Sequence, residues 1–262
     1  MFNKKPHITG IITVLDLDAL RISLPRLRKF RGRLSLVVYN RNPNQKLSHR
    51  LVQRFGWHGR TYIINSEKTL NELESTLAAV EYIQSKKIPC DWIIFNGDTD
   101  VIIDVGVPNV NDTTFAIVQD ATTIYESVTD VFKISTDWVN GAPIGKTGPH
   151  FDINGTMIRA NILFEFSKFV QDMLPDIYNL LSQTKYSVPI SAMLWAGLNA
   201  FVRARHPEMS PIYMNRTNYV AVQIGRTPSN NIVMRRTISA TIKKFTKMIG
   251  TAATQNMVAD GI

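Results

Sequence analysis

An α/β fold, with a mixed, mainly parallel central sheet flanked by helices in a single domain, follows from three features of the 262-residue sequence. Four apolar, β-rich runs alternate with helical runs over roughly the first hundred residues, and such alternation predicts parallel strands joined by right-handed crossovers. The helical runs carry their apolar residues on one stripe, as helices that cover a sheet do. Hydrophobic residues make up 44% of the chain, enough to bury a real core and exclude wholesale disorder.

The first strand is HITGIITVLD (7–16), unbroken by charge until its end. Asp16 or Asp18 can cap the helix expected over 18–30, where Pro25 must kink the helix or mark its first turn. RLSLVVYN (33–40) is the second strand and RNPN a turn. QKLSHRLVQRFG (45–56) is an amphipathic helix ended by Gly56, and RTYIIN (60–65) is the third strand. A helix over about 69–87 then carries Leu70, Leu73, Leu77, Val80 and Ile83 on one face, with Glu72, Glu74 and Glu81 largely off it. DWIIFNG (91–97) is the fourth strand.

After residue 105 the pattern loosens. FAIVQDA (115–121) and DVFKIS (130–135) are candidate strands, and VNGAPIGKTGPH (139–150) reads as a Gly/Pro loop. NGTMIR (154–159) is a short strand leading into a helix near 161–173, and a further helix covers about 188–204. Residues 235–249 have helical spacing, with Arg235, Arg236, Lys243, Lys244 and Lys247 as the basic positions. The single domain of residues 1–262 thus divides into a nucleotide-binding half (1–105), a second, substrate-handling half (106–234) and a basic C-terminal helix and tail (235–262).

Charge is distributed unevenly. Residues 1–60 carry thirteen Lys/Arg against two Asp, residues 61–130 three against twelve acidic groups, and residues 131–262 fourteen against seven. An acidic middle between basic ends suits a cation-binding centre flanked by anion-attracting surface. The lone Cys90 excludes an intrachain disulfide and a Cys-based zinc site. No apolar run reaches the roughly 20 residues needed to span a bilayer, and Met1–His7 lacks a signal-like apolar stretch. A reduced, cytoplasmic, soluble protein is expected.

The acidic centre begins where the fourth strand ends, in FNGDTDVIID (95–104). In open α/β sheets, ligands bind beyond the carboxyl ends of the strands, which is where Asp98 and Asp100 stand. Two carboxylates so close repel one another and resist desolvation, and a divalent cation resolves both costs. Hard oxygen donors suit Mg²⁺ or Mn²⁺, ions that bridge protein oxygens to substrate phosphates. An isolated D-x-D is also a common polar turn; its position after a buried strand and three strand–helix units is what gives it weight. GAPIGKT (141–147) is no P-loop, because three residues separate its glycines where the motif needs four. Cys90, just before the strand, has no motif of a nucleophile around it.

FNGDTDVIID resembles the D-x-D strand of GT-A-fold glycosyltransferases. The opening strand, helix and strand from ITGIITVLD to LSLVVYN are similar as well. HFDINGTMIRANIL (150–163) resembles the corresponding strand of the retaining, glycogenin-like and bacterial galactosyltransferase-like members. The likeness follows the order of elements over roughly residues 7–205. It implies a Rossmann-like GT-A sheet and a sugar transfer from a nucleotide-sugar donor, a UDP-sugar above all, with Mn²⁺ or Mg²⁺ as cofactor. Residue by residue, Asp98 would touch the metal or the donor ribose, and Asp100 would ligate the metal gripping the diphosphate. Val14, Leu15 and Asp16 would line the base pocket, with Asn40 and Arg41 beside it. Asn154 and Gly155 would contact the transferred sugar, as would Asp152. Lys146, in the Gly-rich loop, would approach the diphosphate, and His206 would supply a third metal ligand. The Glu-Asp pair of many inverting members and the D-Q-D segment of many retaining ones are both missing. Asp137, Asp152 and Asp176 are then the carboxylates available as catalytic base, and the stereochemistry of transfer stays open.

Basic ends suit an anionic acceptor. One form is nucleic acid, gripped by Arg21, Arg26, Arg28, Lys29, Arg31, Arg33 and the Arg235–Lys247 stretch. The other is a membrane-associated, lipid-linked glycan, with the C-terminal segment on an anionic leaflet. A sugar-nucleotide pyrophosphorylase would carry a Gly-rich loop after its first strand, where VLDLDALRI has no glycine. A basic nucleic-acid-binding protein on a degenerate transferase scaffold is the non-enzymatic alternative.

Overall fold

The computed structural model describes residues 6–25, 27, 34–97, 100–102, 114–124, 147–183, 198, 201–202, 205–215, 220–226 and 232–236. β1 (Ile8–Val14) is buried at every residue, as is β2 (Leu34–Asn40), the continuous apolar pattern of parallel strands covered on both faces. β1 lies between β2 and β4 (Trp92–Gly97), parallel to both, with Ile8 opposite Leu34 on one side and Trp92 on the other. β3 (Thr61–Asn65) extends the sheet beyond β2, also in parallel.

Beyond β4 the sheet turns mixed. β7 (Thr147–Arg159) runs antiparallel to β4 and to β6 (Thr114–Ile124), and β8 (Ser210–Asn215) runs parallel to β6. The order β3-β2-β1-β4-β7-β6-β8 thus has β7 alone reversed. This is a mixed, mainly parallel α/β sheet of Rossmann-like kind. β5 (Asp100–Ile102), β9 (Val220–Arg226) and β10 (Ile232–Arg236) form a second, three-stranded antiparallel sheet.

Helices close both faces. α1 (Leu17–Ser23) is capped by Asp16, and α2 (His49–Arg54) by Ser48. α2 stops at Gly56, whose φ of 92° is the left-handed conformation that glycine adopts most readily. α3 (Glu72–Ser85) starts with a reciprocal capping box between Asn71 and Glu74. α4 (Ala160–Gln183) runs antiparallel to α3: its Tyr178 hydroxyl accepts from Asn71 Nδ2 at 3.0 Å, at the opening of α3.

The period of two along β1 and β4 sorts their side chains between two cores. Ile11, Ile93 and Phe95 join Leu77, Val80 and Ile83 of α3, Phe166 and Val170 of α4, and Phe201. Ile8, Ile12, Val14 and Trp92 join Leu20, Val52 and Trp57 on the other face. Phe201 stands edge-on to Phe166 at 5.4 Å between centroids and 5.8 Å from Phe169.

Several expected boundaries shift. The helix expected over 18–30 stops at Ser23, two residues before Pro25, because proline cannot donate to the ladder and crowds the preceding turn. The helix near 161–173 continues to Gln183 with Pro175 inside it. Part of the 139–150 loop, Thr147–His150, belongs to β7. Arg235 and Arg236 end a strand instead of opening a helix. Cross-strand pairing with β9 decides that segment, against its local helical spacing. The rest of the 235–249 stretch and DVFKIS lie outside the described residues. No helix among the described residues is long and apolar enough to cross a membrane.

Phe95 is 1% exposed at the centre of the larger core. Phe95→Ala is expected to lower unfolding free energy by about 3–5 kcal/mol, read from the urea midpoint at unchanged slope.

Candidate functional site

The chain passes from β1 outward to β2 and β3, then returns to β4 on the other side of β1. The strand order therefore reverses between β1 and β4, and the carboxyl ends of these two strands border the switch point where open α/β sheets take ligands. Thr13 of β1 stands opposite Gly97 of β4 there. The chain next enters β5 at Asp100, in the small sheet. The acidic turn is thus the passage from one sheet to the other, and β5 contacts α1.

At the end of β1 three neighbouring residues take three different parts. Val14 is fully buried in the core, and its carbonyl accepts from Arg41 N at 2.8 Å. Leu15 is 43% exposed, the only exposed large hydrophobic side chain among the described residues. Asp16 Oδ1 accepts from Asp18 N at 2.9 Å and Ala19 N at 3.3 Å, which commits it to capping α1. Leu15 is the member of the trio whose side chain can offer a surface to a base.

Asn40 does not face a ligand. It is fully buried, its Nδ2 donates to Gln45 O and to Asn65 Oδ1, and its Oδ1 accepts from Asn42 N. Asn65 in turn bonds both Leu47 N and Leu47 O. The asparagine expected beside the base instead clamps the 41–47 loop. Its neighbour Arg41 is half-buried, and its Nε has no hydrogen-bond partner.

Asn96 was not foreseen as a site residue. It is 7% exposed on β4, opposite Ile12 of β1. Its Nδ2 donates to Gly97 O at 2.9 Å, while Oδ1 is buried without a partner. An orphaned buried acceptor costs about 1–3 kcal/mol, and native structures tolerate such groups mainly where they do something else. An asparagine closing an apolar strand was the signal available in the sequence.

On the far side of β4, β7 pairs only with Trp92, Ile93 and Ile94. Against β6, Ala116 faces Met157 and Val118 faces Asp152, so the single residue Ile117 spans four residues of β7, 153–156. Asn154 and Gly155 lie in this irregular stretch, with Asp152 at its edge. Bulges of this kind bend a strand and cluster beside active sites. The backbone therefore brings Asp152, Asn154 and Gly155 to the side of β4 on which its last three residues have no ladder partner from β7. Asp98, Asp137 and Lys146 lie outside the described residues, as do Arg26, Arg28, Lys29, Arg31 and Arg33.

His206 is not brought to Asp100. Its Nε2 lies 3.0 Å from Glu165 Oε2 and its Nδ1 3.6 Å from Glu208 Oε1. Glu165 is in the second turn of α4, whose first residue, Ala160, donates to Asp91 O at the start of β4. Ser210, four residues after His206, opens β8 opposite Thr114 at the start of β6. His206 therefore sits at the amino ends of the parallel strands. The length of β4, about 20 Å for six residues, lies between it and the acidic turn. Relatedness in order along the chain placed it near the metal; its contact with Glu165 and the packing of Phe201 on Phe166 and Phe169 hold the segment at the end of the sheet where α4 begins.

The cysteine is structural. Burial pushes the Cys90 thiol up to about 11, partly offset by hydrogen bonds from Thr9, and Sγ contacts Trp92 O at 3.2 Å. Among the described residues no three or more His, Cys, Asp or Glu groups converge to hold a metal. Oxygen atoms are the donors at the acidic turn, and an orphaned amide oxygen ends the strand before it. Oxygen is the donor type that hard divalent cations take. No family model matches the chain, and no curated protein matches it.

Two measurements check these assignments. Asn96→Leu, similar in volume, is expected to leave stability within about 1 kcal/mol or raise it, read from the urea midpoint; a loss of several kcal/mol would make Asn96 a core residue only. Cys90 is expected to resist thiol reagents at pH 8 in the folded protein and react fully in urea. Its raised folded-state pKa favours folding below the unfolded value of 9.0, and that contribution is lost as pH rises through about 11.

Proposed function

We propose that the protein is a metal-dependent glycosyltransferase of GT-A type, moving a sugar from a UDP-sugar to a hydroxyl of an anionic acceptor. The observation that carries this reading is the position of Asp100. It opens β5 directly beyond the carboxyl end of β4, at the switch point of a mixed, mainly parallel sheet. Leu15 supplies exposed apolar surface for a base at the end of β1, and the buried Arg41 Nε is a donor beside it. The irregular stretch of β7 supports Asn154 and Gly155 as sugar contacts.

Asp100, with Asp98, would hold Mn²⁺ or Mg²⁺, which offsets charge building on the departing diphosphate. Transfer breaks the bond from the anomeric carbon to the diphosphate oxygen and forms one to the acceptor oxygen. The acceptor proton passes to a carboxylate, for which Asp152 and Asp137 are the candidates. A net charge of +9 supports an anionic acceptor, either DNA or a lipid-linked glycan. Steeply salt-dependent DNA binding marks the first, and co-sedimentation with anionic liposomes marks the second.

With Mn²⁺ and a hundredfold excess over Kd, the preferred UDP-sugar is expected to stabilise the protein by about 2.7 kcal/mol, raising Tm by roughly 5–10 °C. Asp100→Ala is expected to abolish the shift, and slow release of UDP in the wild type reads the chemistry. Absence of a metal-dependent shift across UDP-, GDP- and ADP-sugars overturns the reading. A shift that survives Asp100→Ala overturns the assignment of the metal.

A further inference from the structure

The small sheet sets three residues in one register row. Asp100 of β5 stands opposite Gln223 of β9, and Gln223 stands opposite Arg235 of β10. Both pairings are antiparallel, and directly opposed residues share a face of the sheet. The next row, Val101, Val222 and Arg236, belongs to the other face, together with Ile224 and Met234. One register row therefore sets Asp100, Gln223 and Arg235 on the same face, and the adjacent row sets Arg236 on the other. Strand spacing puts the backbones of Asp100 and Arg235 roughly 10 Å apart with an amide-bearing residue between them.

We infer that Arg235 is an anion-binding residue of the candidate site, holding the diphosphate of the donor opposite the cation at Asp100. This rests on the proposed reading of Asp100. The donor's diphosphate, esterified at both ends, carries about two negative charges, which one dication balances; the nucleoside diphosphate left as the sugar departs carries about three, so about one is uncompensated. A guanidinium matches that remainder and offers two parallel N–H donors to phosphate oxygens. The separation of the two positions leaves room for the phosphates between a cation at one end of the row and the Arg fork at the other. Gln223, at the middle position, can donate or accept there. The row also explains why a chain with this acidic turn carries its basic pair 135 residues later, on a strand that reaches the turn only through β9.

The test is titration calorimetry of the full chain with UDP, GDP and ADP and the matching monophosphates, each with Mn²⁺. For the tightest diphosphate, Arg235→Gln is expected to weaken binding at least tenfold and the monophosphate less than about threefold. Arg236→Gln, with the same loss of charge on the opposite face, is expected to change neither. Arg235→Lys keeps the charge without the two-pronged fork and is expected to lose several-fold for the diphosphate alone, which reads the contact if the Gln variant unfolds. Equal losses in the Arg235 and Arg236 variants, or a diphosphate affinity unchanged in the Arg235→Gln or the folded Arg235→Lys protein, overturn this inference and leave the transferase reading standing. A wild type that binds no diphosphate with Mn²⁺ overturns both.

Discussion

The parallel pairing of β1 with β4 is the constraint on which the rest of the structure depends. Both strands are almost wholly buried, and their alternating side chains feed a core on each face of the sheet. Asp91 secures the amino end of this pair: its carboxylate accepts from His7 N at 2.6 Å, and its carbonyl accepts the first N–H of α4. With both strands held in register, their carboxyl ends finish level, and every residue that follows them is delivered to one edge. The acidity of DWIIFNGDTDVIID thus has two separate causes. Asp91 is a structural fastening at one end of β4, and Asp100 is presented at the other.

That carboxyl edge is economical with its polar groups. Asn40, Asn42, Asn65 and Asp16 are committed to backbone partners and hold the β1–α1 and β2–α2 connections in place. Against this background of satisfied groups, Asn96 Oδ1 and Arg41 Nε stand out as buried atoms without partners, and Leu15 as an exposed apolar side chain. A buried acceptor, a buried donor and an apolar surface at the end of neighbouring strands are the groups a nucleotide would satisfy. Asn96 is fixed within β4, and Leu15 and Arg41 follow directly on β1 and β2, a placement close to the rigid frame that holding a ligand in one geometry requires.

The strand framework was legible from hydrophobic period: the four parallel strands, the helices between them and the caps at Gly56 and Asp16 follow from local pattern and local hydrogen bonding. The position of Asp100 at the end of β4 was legible for the same reason. Where assignment failed, the deciding interaction was distant in sequence. Asn40 reads as a strand-end residue beside the base pocket, yet Asn65, on a neighbouring strand, and Gln45 O take its amide. Arg235 reads as the start of a basic helix until β9 pairs with it. VAVQIGR and IVMRR are short, and the helical spacing that begins at 235 overlaps the second, so only their partners identify them as a sheet.

By itself, then, the sequence determined an α/β chain whose acidic turn follows a buried fourth strand, because burial and period act over a few residues. The tertiary structure alone decided which chemically capable residues meet at that turn. It carried His206 to the opposite end of the sheet, where Glu165 in the second turn of α4 meets it beside the start of β4. It brought Arg235 into the row of Asp100, because two antiparallel pairings must share one register. Such placements depend on contacts between residues tens of positions apart, and no local pattern encodes them.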